Sequence, residues 1–118
     1  MSGVLLRDTD FFTKMDPYII LKLDNQTFKT KTARGAGKKP IWEETFYFSK
    51  LPKHQYIEFE VWDEDTFTPD DLVGKGSIPL SNIDSVSIRT VPVIYKGRNA
   101  GDVKFQIELL SDINGKWR

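Results

Sequence analysis

The sequence predicts an all-β fold of short antiparallel strands, a sandwich or a barrel, from three observations. Ile57, Phe59 and Val61 alternate with Tyr56, Glu58, Glu60 and Trp62, and Val103, Phe105, Ile107 and Leu109 alternate with Asp102, Lys104, Gln106 and Glu108. Such period-two patterning puts one face of a strand on a core and the other in water. Clusters of Gly, Pro, Asn and Asp recur between short β-branched and aromatic runs. No long segment carries a 3.6-residue period.

Taken in order, the expected strands are Tyr18–Leu23, Thr27–Thr32, Trp42–Phe48, the two alternating runs, Val73–Leu80 and about Ser87–Tyr95. Each is rich in the residues that fit a pleated, half-buried surface. Asp24-Asn25 turns the first pair; Gly35-Ala36-Gly37-Lys38-Lys39-Pro40, Leu51-Pro52-Lys53 and Lys96-Gly97-Arg98-Asn99-Ala100-Gly101 supply further breaks. Ser81–Val86 has room for one helical turn.

At 118 residues the chain reads as a single domain, 1–118,. It has 17 basic and 17 acidic residues, so no global field favours nucleic acid,. With no cysteine there is no disulfide, thiol nucleophile or Cys-ligated zinc, which suits a reducing compartment,. Signal-peptide patterning, a membrane-length apolar run and a glycine directly after Met1 are all missing. The expectation is a cytoplasmic protein whose membrane contact is peripheral.

The acids are unevenly placed. Asp8, Asp10 and Asp16 lie in one loop, and Asp63, Glu64, Asp65, Asp70 and Asp71 in another. A hard cation such as Ca²⁺ takes about six to eight oxygen ligands, more than either loop offers alone. In a sandwich, loops distant in sequence share one rim. Asp63 and Asp65, two apart, face the same way on extended backbone. An EF-hand is excluded, because Phe67 and Thr68 stand where its third ligand and its glycine belong,.

Three collinear stretches resemble a C2 domain, of the small single-domain kind found in plants and protists. They are Leu6-Arg7-Asp8-Thr9-Asp10-Phe11-Phe12-Thr13-Lys14-Met15-Asp16-Pro17-Tyr18, Lys29-Thr30-Lys31-Thr32 with Pro40-Ile41-Trp42-Glu43-Glu44-Thr45-Phe46, and Val61-Trp62-Asp63-Glu64-Asp65 continuing to Asp70-Asp71-Leu72-Val73-Gly74. The resemblance covers about residues 5–110, leaving 111–118 as a loose tail. It implies an eight-stranded Greek-key β-sandwich with calcium loops at one end. It also places carboxylate ligands at Asp10, Asp16, Asp63, Asp65 and Asp71, and backbone carbonyl ligands at Met15 and Glu64, around about two or three Ca²⁺ ions. Asp8, Asp70 and the Glu64 side chain are expected to contribute field.

The sequence departs from the family twice. Lys39 and Glu43 replace the asparagines flanking the Pro-x-Trp signature, which removes no ligand. Only Met1–Leu6 precede the first loop, where the family carries a strand of about seven to nine residues inside a sheet. Truncation, a strand-donating or dimer partner, or a closed gap would each account for it.

Phe11, Phe12 and Phe67 are candidates for dipping into a lipid interface. Lys22, Lys29, Lys31, Arg34, Lys38 and Lys39 form a basic patch if the first two strands make a hairpin, resembling faces that hold phosphoinositide headgroups. Lys29 and Lys31 share a face, with Lys22 opposite. His54 reads as a surface residue, Trp42 and Trp62 as core or sheet face, and Trp117 as part of the tail. The resulting expectation is Ca²⁺-dependent binding to anionic phospholipid membranes, phosphatidylserine or phosphoinositide, by a peripheral targeting module. The alternative is a protein-interaction scaffold in which calcium is structural or absent. Catalysis is not expected: no triad or P-loop is present, and the carboxylates gather as a cage.

Overall fold

The structure, a computed structural model, describes residues 1–6, 14–49, 53–81, 83 and 86–108. The strands are β1 (Ser2–Leu5), β2 (Pro17–Leu23), β3 (Gln26–Lys29), β4 (Tyr56–Asp63), β5 (Asp71–Pro79), β6 (Ser87–Tyr95) and β7 (Arg98–Ile107). No helix occurs among the described residues. All pairings are antiparallel, in the order β1-β7-β6-β5-β4-β2-β3.

This ribbon is folded back on itself. Phe59 of β4 and Phe105 of β7 lie three strands apart in the order, which would be about 14 Å in a flat sheet. Their ring centroids are 5.1 Å apart, edge to face. The fold falls between β5 and β6, joined only at Lys75↔Ile94. Gly76 permits the approach, since a Cβ there would stand 2.7 Å from the Pro92 carbonyl oxygen. Ile19, Leu21, Ile57, Phe59, Val61, Val73, Val93, Val103 and Phe105 fill the interior between the two layers. The alternation read in the sequence is the alternation of burial along β4 and β7. An all-β antiparallel sandwich is the outcome.

Two expectations change. The chain before the first loop does supply a strand: β1 pairs with β7 from Ser2↔Lys104 to Leu5↔Gly101. Its other edge meets residues 38–42, with Gly3 N donating to Pro40 O (2.9 Å), Leu5 N to Lys38 O (2.7 Å) and Trp42 N to Met1 O (2.8 Å). So the gap is closed by the chain itself, over four residues. Gly101 makes this possible. At φ +134° it occupies backbone space that side chains rarely reach, and a Cβ would run into the Val4 carbonyl and lie 2.7 Å from Leu5 Cα.

Trp42–Phe48, expected as a strand, is not one; residue 41 makes an isolated bridge to Ser2. Pairing with the β1 line ends at Met1, whose ammonium donates to Trp42 O at 3.0 Å. Beyond it, side chains take the place of a ladder. Gln26 Nε2 donates to Ser49 O (2.8 Å) while Gln26 Oε1 accepts from Ser49 N (2.7 Å), and Glu44 Oε2 accepts from Lys31 N (2.8 Å). Phe46 and Phe48 pack on Phe28, with centroids 5.3 and 4.9 Å away. The expected strand Thr27–Thr32 accordingly stops at Lys29. Most of Ser81–Val86, the candidate helical turn, and all of the 111–118 tail with Trp117 lie outside the described residues.

Candidate metal centre

The site is built by strand register. In the β4–β5 ladder Val61 faces Gly74 but Trp62 faces Leu72, so Val73 is an extra residue on β5. Without this bulge Leu72 would stand opposite Asp63, and the Asp71 side chain would leave from the other face. With it, Asp63 faces Asp71 directly. On its other side Asp63 faces Pro17, which brings the residues before β2 to the same end.

Carboxylate oxygens of Asp63, Asp65 and Asp71 all lie within 4.8 Å of one another. Ca²⁺–oxygen distances of about 2.3–2.6 Å put two ligands of one ion at most about 5 Å apart, so this donor set fits a single hard cation. Burial is graded: Asp63 is fully buried, Asp65 half-buried and Asp71 exposed, so the group opens outward.

Asp16 braces the group through its backbone. Its amide donates to Asp63 Oδ1 at 2.9 Å, its carbonyl accepts from Glu64 N at 3.0 Å, and its own Oδ1 accepts from Gly35 N at 2.7 Å. The structure therefore places Asp16 beside Asp63 but outside the set of three. Met15 is buried, and its carbonyl accepts from Gly37 N at 3.0 Å. The Glu64 carboxylate accepts from the Thr32 hydroxyl and from Arg34 Nη2 at 3.1 Å. The Thr32 bond, with Arg34 assisting, lowers its pKa below the usual carboxylate value. Asp8, Asp10, Phe11 and Phe12 lie outside the described residues.

Sequence reasoning missed the partners of this rim. Tyr18, read only as a strand residue, donates to Asp70 Oδ2 at 2.6 Å, and Asp70 Oδ1 accepts from Asp65 N at 3.0 Å. The Tyr18 bond, then the Asp65 amide, hold the Asp70 pKa below its ordinary value. Thr32 and Gly35 carried no local signal at all. Arg34, a member of the expected basic patch, meets Glu64 instead.

Phe67 is 97% exposed at the tip between Asp65 and Asp70. The lysine face is more mixed than the sequence suggests. Lys22 pairs with Thr27 and Ile20 with Lys29, so Lys22 and Lys29 share one face. Glu58 and Glu60 stand there too, facing Lys22 and Ile20 from β4. Glu60 Oε2 lies 3.5 Å from Lys22 Nζ and 3.7 Å from Lys75 Nζ. Trp62 is half-buried and donates to Glu60 Oε1 at 3.1 Å, while Trp42 is core. His54 meets Asp24 at the other end of β2, 3.0 Å away.

Comparison with known proteins points the same way as the geometry. The C2 domain family model matches residues 1–93. The 16 kDa phloem protein 2 of Arabidopsis thaliana is 38% identical over 83 residues, which are 70% of this chain and 56% of that protein. The match to a relative such as this spans little more than half its length. Elicitor-responsive protein 3 of Oryza sativa subsp. japonica is 34% identical over 102 residues, 84% of this chain and 71% of that protein. A solved C2 domain-containing protein superposes with a TM-score of 0.76 at 31% identity, covering 91% of this chain and 81% of its own.

Proposed function

Because this chain belongs to the C2 domain family, we propose that it is a peripheral membrane-targeting module that binds anionic phospholipid in response to Ca²⁺. The single observation carrying this reading is the meeting of Asp63, Asp65 and Asp71 oxygens within 4.8 Å, at a rim that also carries the exposed Phe67. Asp10, Asp16 and the carbonyls of Met15 and Glu64 complete the proposed ligand set. Clustered carboxylates repel one another and anionic lipid alike. Bound Ca²⁺ would reverse the local potential and offer coordination to lipid oxygens. The switch is then electrostatic, with no change of fold.

The loop end is favoured over the lysine face as the lipid contact. Lys22 and Lys75 both lie against Glu60, and Glu58 adds a second acid, so that face has little net positive charge to offer. An open sheet at β1 would lend weight to the scaffold alternative, but β1 is paired on both sides. The reading is of a binding module rather than a catalyst, one domain across 1–118. Among the described residues no helix is long and apolar enough to cross a membrane.

Sedimentation with phosphatidylserine vesicles in about 1 mM Ca²⁺ and in excess EGTA tests it. Calcium-dependent pelleting, lost in an Asp63→Asn/Asp65→Asn variant, is the expected result. Equal pelleting in EGTA would sink the calcium switch and return attention to the lysines.

A further inference from the structure

Asp70 is adjacent to a proposed ligand, yet it neither joins the three-carboxylate group nor falls on a ligand position of the family pattern. Both of its oxygens are engaged elsewhere. Oδ2 takes the Tyr18 hydroxyl at 2.6 Å, and Oδ1 takes the Asp65 amide at 3.0 Å. One carboxylate thus spans the turn from 65 to 70 and ties it to β2.

The anchor at the far end is a buried strand residue. Tyr18 faces Trp62 in the β2–β4 ladder and is only 5% exposed. Lys29 Nζ lies 4.3 Å from its ring centroid. A phenol is protonated at neutral pH, so the hydroxyl is the donor to Asp70 Oδ2,. A short O–H···O⁻ bond of this kind is among the stronger and more directional ones.

We propose that Tyr18 and Asp70 are positioning residues for the metal loop: Tyr18, acting through Asp70, fixes the Asp65 backbone and holds Asp65 and Asp71 at single-ion spacing before an ion arrives. Three carboxylates this close repel one another, and a turn without such a tie would splay. The role rests on the calcium reading above, but its structural half concerns the calcium-free chain.

Tyr18→Phe is the clean variant, since it removes one hydroxyl and no charge. Amide hydrogen exchange at Asp65 is followed by NMR in EGTA, and Ca²⁺ affinity is measured by calorimetry without lipid. Asp65 exchange is expected to rise about tenfold in Tyr18→Phe and in Asp70→Ala, with the centre of β4 unchanged. Ca²⁺ binding is expected to weaken about 5- to 10-fold in Tyr18→Phe, and Tyr18→Phe should add nothing in an Asp70→Ala background. Should Tyr18→Phe not fold, Asp70→Ala carries the exchange measurement alone. Unchanged Asp65 exchange, or a full Tyr18→Phe effect in the Asp70→Ala background, overturns the proposal. Wild-type Ca²⁺ binding with unaltered Tyr18→Phe affinity overturns this role by itself. A wild-type chain that takes up no Ca²⁺ overturns the calcium reading and this role together.

Discussion

Asp63 and Asp71 face each other across the β4–β5 ladder, one fully buried and the other exposed. The two carboxylates therefore answer to different forces although they would share an ion. Asp63 Oδ1 accepts from the Asp16 amide and secures the chain entering β2. Asp63→Ala should destabilise the calcium-free domain by about 1–3 kcal/mol, the usual range for stranding a buried donor. Asp71→Asn should change it by no more than about 0.5 kcal/mol, as surface substitutions do. Urea denaturation in EGTA measures both. Equal losses would mean that the burial contrast has no energetic meaning. Both variants are expected to lose calcium-dependent vesicle binding.

Phe67 offers a separate test of the lipid contact. Its ring is almost wholly in water, so Phe67→Ala should leave folding stability and lipid-free Ca²⁺ affinity unchanged. Full removal of a Phe side chain from water is worth about 1.5–3 kcal/mol. Vesicle affinity in Ca²⁺ should fall by roughly 10- to 100-fold. Unaltered vesicle binding would show that the tip does not enter the bilayer.

Gly101 governs how β1 docks. Gly101→Ala would set a Cβ against the Val4 and Leu5 backbone at φ +134°. Holding a non-glycine residue in such a conformation costs about 1–3 kcal/mol before any clash. Thermal unfolding should show a marked drop, with β1 amides losing protection first. Protection lost evenly throughout the domain would argue against a local role for this contact.

Acid sensitivity has a component far from the aspartate loops. His54 hydrogen-bonds Asp24 and, with Lys53, lowers the Asp24 pKa from its ordinary 3.8. A depressed carboxylate contributes stability above its unfolded pKa and loses it as pH falls through the folded one. Asp24→Asn should therefore be less stable than wild type at pH 5–7 and converge with it as pH falls through the lowered carboxyl pKa,. Asn also tolerates the left-handed backbone at this turn, φ 56°, so the charge is isolated,. A gap that persists at low pH would assign the effect to the turn instead.

Periodicity exposed β4 and β7 in the sequence because alternation is a local property that the core enforces residue by residue. The clustering of aspartates in the second loop is legible for the same reason, since Asp63 and Asp65 differ by one period. What brings Asp71 to Asp63 was not, because a bulge at Val73 is visible only once two strands are paired. The mixed character of the lysine face likewise follows from register, which sets Glu58 and Glu60 among the lysines. Trp42–Phe48 has strand composition, but a strand needs a neighbouring ladder, and past Trp42 the bonds run through side chains, from Lys31 N to Glu44 Oε2 and between Gln26 and Ser49. The Tyr18–Asp70 bond joins residues on different elements and had no signal in either neighbourhood.

The pairing of Ser2 with Lys104 has a consequence for how the chain is made. These partners stand about 100 positions apart, and contacts between such distant residues slow folding because the intervening loop must close first. During synthesis Ser2–Leu5 is available long before β7, and among the described residues, 38–42 are the backbone partners it meets early. Until β7 clears the ribosome the half-built layer has Val103 and Phe105 missing from its interior, and its apolar face is open to chaperones or to neighbouring nascent chains,.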